Sequence, residues 1–156
     1  MNIRTRKLFL SAAVAAAIGT LAGCSGMGMG GSSSGGMSSM MMGEKVTLGG
    51  GNEVPPATTS ASGSGTVTVR DDRSVSAKIT VMGMTATAAH IHEGAAGANG
   101  PVIVPLTKMG DDTFVAPEGA KLTDSQYASF KAGNLYVNVH SAKNPGGEIR
   151  AQLKGK

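Results

Sequence analysis

The sequence predicts an all-β fold, a Greek-key sandwich or barrel of about seven to nine antiparallel strands with one short helix at about 123–132. Three observations lead to this prediction. Apolar and polar residues alternate in a series of short segments, as they do in half-buried strands. Turn-forming residues separate these segments at regular spacing. One segment instead carries the signals of a helix start and a helix stop.

The alternating segments follow one another from residue 44 to the end of the chain. The predicted strands are 44–48, 65–70, 74–82, 86–92, 101–106, 111–116, 134–140 and 147–153. The short turn after the second strand predicts a hairpin over 65–82, and the turn before the last strand predicts another over 134–153. Pro101 and Pro105 favour an edge position for the strand that contains them.

A capping box marks the helix. Thr123 is a preferred N-cap residue, Gln126 follows it by three positions, and Gly133 is a typical stop. The residues that we expect to dock the helix on the sheet are Leu122, Tyr127 and Phe130.

The first 23 residues have the pattern of a secretory signal peptide. Three basic residues among the first seven precede an apolar run, 8–18, that is short for a membrane span. The sequence "LAGC", which ends at Cys24, resembles a bacterial lipobox, in which the cysteine is lipidated and begins the mature chain. The alternative is an ordinary signal peptide with a free thiol nearby. We expect a signal peptide over 1–23 and a lipid at Cys24 that anchors the chain to a membrane.

Residues 24–43 are expected to form a tether between the anchor and the domain, which we expect over 44–156. After Cys24 the tether contains only Gly, Ser and Met, a composition that cannot bury a core. Six of the chain's ten methionines lie there, and thioethers favour Cu(I). The tether is therefore either a low-complexity linker or a segment that captures copper.

The positive charge of the chain belongs mainly to the signal peptide. The full chain has 14 basic and 10 acidic side chains, a net charge of +4. Loss of 1–23 removes three basic residues, which leaves 11 against 10 and a net charge of +1. Since the chain also lacks tryptophan, we expect no nucleic-acid partner.

The residue after the lipobox bears on the location of the protein. Ser25 stands where many enteric lipoproteins carry the aspartate that retains them at the inner membrane. The expected location is therefore the cell envelope, with attachment to the outer membrane. The sequence leaves open whether the domain faces the periplasm or the exterior.

All three histidines fall on the polar faces of predicted strands. Successive side chains of a strand point to opposite faces, so His90 and His92 lie together on the face opposite Ile91. By the same rule, His140 lies on the face opposite Val139. An H-x-H pair with a third histidine on another strand is a ligand set that Cu(II) and Zn(II) accept. The alternative is that these histidines hydrogen-bond the following loops without a metal.

Four further residues are expected to support the histidines or the fold. Glu93 or Glu148 can orient a ring nitrogen from the side away from the metal. A tight pairing of the last two strands would place Glu148 across from His140 and Arg150 across from Asn138.

Three stretches of the sequence resemble the CHRD domain, a module named after chordin that also occurs alone in many exported bacterial proteins. They are "GNEVPPATTSASGSGTVTV" (51–69), "AHIHEGAAGANGPVIVPL" (89–106) and "LYVNVHSAKNPGGEIRAQL" (135–153), and the resemblance covers about 45–154. The residues that match the family pattern are Asn52, Glu53, Pro55, Pro56, His90, His92, Gly94, Gly97, Gly100, Pro101, Asn138, His140, Asn144, Pro145, Gly146, Gly147, Glu148, Ile149 and Arg150. The family name implies no particular biochemical activity.

The H-x-H strand more weakly resembles copper/zinc superoxide dismutase, a Greek-key β-barrel in which strand histidines hold copper. The chain departs from that enzyme because it has three histidines where the enzyme uses six, and because its single cysteine cannot form an intrachain disulfide. The resemblance leaves a copper-only site open and argues against a zinc site of that type.

The sequence therefore predicts a membrane-anchored envelope lipoprotein whose domain binds a metal ion, copper rather than zinc, through His90, His92 and His140. Two alternatives stay open: a metal-free module that binds a protein or a glycan, and a copper-only dismutase-like enzyme. No nucleophile elbow, P-loop or paired-carboxylate motif indicates another enzyme class, and we predict no catalytic residue.

Overall fold

The computed structural model describes residues 43–155, which form a closed antiparallel β-barrel of eight strands with one α-helix. The elements are β1 (Glu44–Gly49), β2 (Ser62–Val69), β3 (Val75–Met82), β4 (Ala86–Glu93), β5 (Val102–Lys108), β6 (Thr113–Val115), α1 (Asp124–Lys131), β7 (Leu135–Ser141) and β8 (Ile149–Leu153). A short 3-10 turn, Gly50–Asn52, follows β1. The predicted fold class is confirmed, in its barrel form.

The order of the strands around the barrel is β1-β2-β3-β6-β5-β4-β7-β8. The two predicted hairpins are present as β2–β3 and β7–β8. Three pairings join strands that are distant in sequence: β3 with β6, β4 with β7, and β1 with β8, which closes the barrel. The second of these pairings positions the site described below.

The hydrophobic core fills the interior of the barrel. In β3, buried and exposed residues alternate without a break, and the buried set is Val75, Ala77, Ile79 and Val81. Burying a side chain of this kind stabilises the fold by roughly 1.5–3 kcal/mol. All eight strands and this core lie within 44–153, so a chain that begins at Gly43 contains every part of the barrel.

The helix forms as predicted. Thr123 accepts a hydrogen bond from the backbone of Gln126, whose side chain accepts one from the backbone of Thr123. Gly133 ends the helix with a φ of 75°, a conformation that glycine adopts without strain. Of the residues expected to dock the helix, Leu122 and Phe130 are buried, and Tyr127 packs partly buried against the core.

The predicted edge position of the fifth strand is wrong for the strand as a whole, because β5 pairs with β4 on one side and with β6 on the other. The pairing with β6 involves only Thr107 and Lys108. Pro105 pairs with His90 of β4 and lies beyond the β6 ladder. The proline is therefore tolerated because its missing N–H is not needed there.

The outward face of β7 is covered, although the alternation in the sequence predicts a polar face of the barrel. All seven residues of β7 are buried, including Tyr136, Asn138 and His140 on the outward side. On the neighbouring β8, Arg150 is only 1 % exposed. Loops fold over this face, so polar side chains there must find partners inside the protein.

The expected signal peptide, the lipid on Cys24 and the tether lie outside the described residues. In the part of the chain that the structure describes, no helix is long and apolar enough to cross a membrane.

Candidate metal centre

The three histidines meet on the outward face of β4 and β7. These strands are antiparallel neighbours, with His90 opposite Asn138, His92 opposite Tyr136 and His140 opposite Ala88. Each histidine offers one ring nitrogen such that the three atoms lie within 4.8 Å of one another. His92 and His140 are buried, and His90 is half-buried. The predicted ligand set is therefore brought together.

A β-bulge helps to set the position of the H-x-H pair. The register of β4 against β5 shifts between Ile91, which pairs with Val104, and His92, which pairs with Val102. A bulge bends the strand and re-aims the side chains beside it. The bulge thus falls at His92, the histidine whose ring contacts the Gly100 carbonyl in the loop that follows β4.

Backbone carbonyls fix the orientation of two of the imidazole rings. His92 Nδ1 lies 2.9 Å from the carbonyl oxygen of Gly100, and His140 Nδ1 lies 2.9 Å from that of Pro145. Because a carbonyl only accepts hydrogen bonds, each Nδ1 must carry the proton. The Nε2 atom of each neutral ring then carries the lone pair, which is the form that binds a metal.

The third ring completes a short contact within the cluster. His90 Nδ1 lies 2.9 Å from His140 Nε2, so the His90 nitrogen donates and the His140 nitrogen accepts. His92 Nε2 is buried and has no hydrogen-bond partner among the described residues. A buried acceptor without a hydrogen-bond partner destabilises the folded protein. A metal ion that binds its lone pair would remove this cost.

Burial and neighbouring titratable groups lower the pKa values of His90 and His92, which favours the neutral form of these two rings. Burial lowers the pKa of His90, and the nearby His140 and His92 rings lower it further. Burial also lowers the pKa of His92, while its bond to the Gly100 carbonyl opposes this effect. Since protons compete with metals for the same lone pairs, a lowered pKa favours metal binding at neutral pH.

A column of stacked side chains supports one face of the His92 ring. The His92 ring stacks on Tyr136 with centroids 4.8 Å apart and planes inclined by 8°. The guanidinium of Arg150 covers the other face of the Tyr136 ring, at 3.4 Å from the centroid. The Tyr136 hydroxyl accepts a hydrogen bond of 3.1 Å from the Gly100 backbone N–H. The column therefore connects β8 to the carbonyl that orients His92.

Hydrogen bonds and close packing hold the loop 94–100 in place at both ends and in the middle. Gly94 donates its backbone N–H to the Asn134 carbonyl. A Cβ on Gly100 would lie 1.7 Å from the Glu93 carbonyl oxygen, so the loop closes more tightly than any larger residue permits. Arg150 donates to the Asn99 side chain, and its second guanidinium nitrogen donates to the carbonyls of Ala95 and Ala98.

The two predicted carboxylates do not orient the histidines. Glu93 accepts a hydrogen bond of 2.6 Å from the Ser129 hydroxyl of α1. Glu148 accepts hydrogen bonds from the hydroxyls of Thr59 and Ser141, and these hydroxyls hold the pKa of its carboxyl below the usual value. Both residues therefore support the fold. Carbonyl groups take the orienting role because the loops over the cluster place backbone oxygens against the rings.

The predicted pairing of the last two strands is present for Asn138 and Arg150, which are direct cross-strand partners. Tyr136 is the functional neighbour that the sequence did not reveal. The alternation places it on the same face as His140. Its contact with His92 depends on the pairing of β4 with β7, which no local pattern shows.

Comparison with known protein families identifies the family to which the chain belongs. No curated protein and no solved structure matches the chain. A family model described as the CHRD domain matches residues 45–153, which include the barrel from the second residue of β1 to the end of β8 and all three histidines. The chain therefore belongs to the CHRD domain family.

Proposed function

We propose that this protein is an envelope lipoprotein whose CHRD domain binds a metal ion, with copper favoured, through His90, His92 and His140. One observation carries the proposal: the ligand nitrogens of the three histidines lie within 4.8 Å of one another, on rings that backbone carbonyls orient. This arrangement is the one that resident metal sites use to hold neutral imidazoles.

The donor set supports copper over zinc. The cluster offers three imidazole nitrogens, and affinity for such ligands rises to a maximum at Cu(II) in the first-row series. Structural zinc sites usually use four protein ligands, and thiolates are common among them. The half-buried His90 gives an ion a route from solvent to the two buried rings.

Location at the membrane is supported by the N-terminal sequence alone. The apolar run and the "LAGC" motif before Cys24 are the features on which it rests. We expect a Cys24→Ser variant to lose incorporation of labelled palmitate and to leave the membrane fraction, because the acyl chains supply the anchoring energy. A Ser25→Ala variant should stay in the membrane fraction. Membrane retention of the Cys24→Ser variant would contradict the lipid anchor.

Metal binding is tested by titrating the chain 43–156 with Cu(II). We expect one equivalent to bind, with nitrogen hyperfine splitting in the electron paramagnetic resonance spectrum. Binding to the folded state alone should also raise the melting temperature by roughly 10–20 °C at a free copper concentration about 100 times Kd. The double variant His90→Ala/His92→Ala has the same N-terminus and measures adventitious binding.

The titration separates the proposal from the metal-free alternative. Wild-type binding no tighter than that of the double variant would contradict a metal centre. The histidines would then have only a structural role, and the result would favour the alternative of a metal-free module that binds a protein or a glycan.

A further inference from the structure

The side chain of Asn138 lies at the centre of the outward face that carries the histidines. On one side it is directly opposite His90 of β4, and on the other it is directly opposite Arg150 of β8. Along its own strand, His140 follows two residues later on the same face. Directly opposite side chains have Cβ atoms about 4.5–5.5 Å apart, so Asn138 is a sheet neighbour of the cluster.

The buried carboxylate of Glu53 fixes which way the Asn138 amide points. Asn138 Nδ2 and Glu53 Oε1 each lie 2.6 Å from the point that a Cβ on Gly147 would occupy, so the two groups meet beside this glycine. Glu53 is itself buried, with only 5 % of its surface exposed. Because a carboxylate only accepts hydrogen bonds, it takes the amide N–H₂ side, and Asn138 Oδ1 is directed away from it.

Three buried acceptors have no hydrogen-bond partner among residues 43–155: Asn138 Oδ1, His92 Nε2 and Glu53 Oε1. Glu53 Oε1 lies beside the Asn138 amide nitrogen at Gly147, whereas Asn138 Oδ1 and His92 Nε2 belong to adjacent strands of the face that carries the histidines. Asn138 and His92 are diagonal neighbours on the antiparallel strands β7 and β4, since His90 is directly opposite Asn138 and His92 follows two residues later on the same face. Since His92 Nδ1 carries the proton, Asn138 Oδ1 and His92 Nε2 both present lone pairs. Neither acceptor can satisfy the other, and a cation bound by both would satisfy the two together.

We propose that Asn138 Oδ1 is the fourth ligand of the metal centre, beside the nitrogens of His90, His92 and His140. The inference rests on the proposed function and extends it to the choice of metal. An amide oxygen is a hard ligand that suits divalent ions, whereas Cu(I) prefers thiolates and thioethers. Asn138 is therefore a residue that sets specificity for Cu(II) over Cu(I).

The test compares two substitutions of nearly the same size in the chain 43–156. Asn138→Leu removes both polar atoms, and we expect it to weaken Cu(II) binding about tenfold or more while affecting Cu(I) binding much less. Asn138→Asp keeps an oxygen at the same position and adds charge, and we expect it to bind Cu(II) at least as tightly as the wild type. Asn134→Leu, an asparagine just before β7 and outside the cluster, serves as the matched control.

A spectroscopic measurement gives a result that affinity alone does not. In wild-type protein made with ¹³C-labelled asparagine and loaded with Cu(II), electron–nuclear double resonance should show a carbon coupling. The Asn134→Leu variant should keep this coupling and the Asn138→Asp variant should lose it, because the label is no longer at residue 138. These two measurements decide the question even if the Asn138→Leu variant does not fold.

The outcomes separate this inference from the proposed function. If the wild type binds copper at the histidines, an absent carbon coupling together with unchanged affinity in Asn138→Leu would overturn the ligand role of Asn138 and leave the histidine site intact. If the wild type binds no metal, the proposed function fails and this inference fails with it.

Discussion

Replacing His92 by phenylalanine should reduce metal affinity at least about 100-fold while the barrel stays folded. The variant loses the one ring nitrogen that is buried, unprotonated and unpartnered in the metal-free protein. Substitutions that only disturb the support of a metal ligand cost about 10–100-fold in affinity, so the loss of a ligand should cost at least as much.

The choice of phenylalanine separates the loss of a ligand from the loss of the fold. A phenylalanine ring can keep the stacking on Tyr136, whose centroid lies 4.8 Å from that of His92. The variant loses the hydrogen bond to the Gly100 carbonyl, which should cost about 1 kcal/mol of unfolding free energy. Isothermal titration with Cu(II) and urea unfolding of the metal-free protein measure the two effects separately.

A control substitution tests whether a change on the barrel surface has any general effect on binding. Lys78 lies on β3, where it is exposed and pairs with strands other than β4 and β7. The Lys78→Ala variant should bind Cu(II) as the wild type does. Wild-type affinity in the His92→Phe variant would show that the ring nitrogen is not a ligand.

Replacing Arg150 by methionine should lower the free energy of unfolding by about 3–5 kcal/mol, because several acceptors lose the guanidinium donor and each buried acceptor left without a partner costs about 1–3 kcal/mol. Arg150 is 1 % exposed, and its charge opposes the rise that burial causes in the pKa of Glu53. Without the guanidinium, the carbonyls of Ala95 and Ala98 lose a donor. Small domains have only about 5–15 kcal/mol of stability, so the effect should be large.

Urea unfolding of the metal-free proteins measures this loss. Arg70→Met is the matched control, because the Arg70 side chain is exposed and, among the described residues, it makes only one long hydrogen bond, 3.4 Å, to the Ser74 hydroxyl. Arg150→Lys should recover part of the loss, since lysine keeps the charge but not the planar group that covers Tyr136. A loss below about 1 kcal/mol in Arg150→Met would contradict the structural role of this guanidinium.

Arg150 also connects stability to the metal centre. Its hydrogen bonds hold the loop 94–100, and that loop carries the Gly100 carbonyl that orients His92. In the Arg150→Lys variant, we therefore expect weaker Cu(II) binding even where the barrel remains folded, by about 10–100-fold as for other supporting residues.

The elements that the sequence predicted well are those with local signals. The alternation in β3, the turn before it and the capping box at Thr123 each depend on residues only a few positions apart. Such signals act through backbone geometry and burial of one face, and they do not require knowledge of the neighbouring strand. The edge position expected from Pro105 was wrong because a single proline reports only on its own N–H and not on the whole strand.

The candidate metal ligands could also be predicted from the sequence. Strand alternation alone places His90 and His92 on one face, and the chain offers one further histidine, His140. The groups that orient the histidine rings could not be predicted from the sequence. Backbone carbonyls of Gly100 and Pro145 hold the rings, and a carbonyl has no signature in a sequence because every residue has one.

The sequence by itself determined the strands, the helix, the two hairpins and the faces on which the histidines lie, because these depend on local geometry and on the period of burial. Only the tertiary structure decided that the histidines meet. Their convergence requires β4 to lie beside β7, a pairing between segments some 50 residues apart, as in His90 with Asn138. The same closure of the barrel buries Arg150 and Asn138 beneath the loops, since a covered polar face forms only when distant parts of the chain pack together.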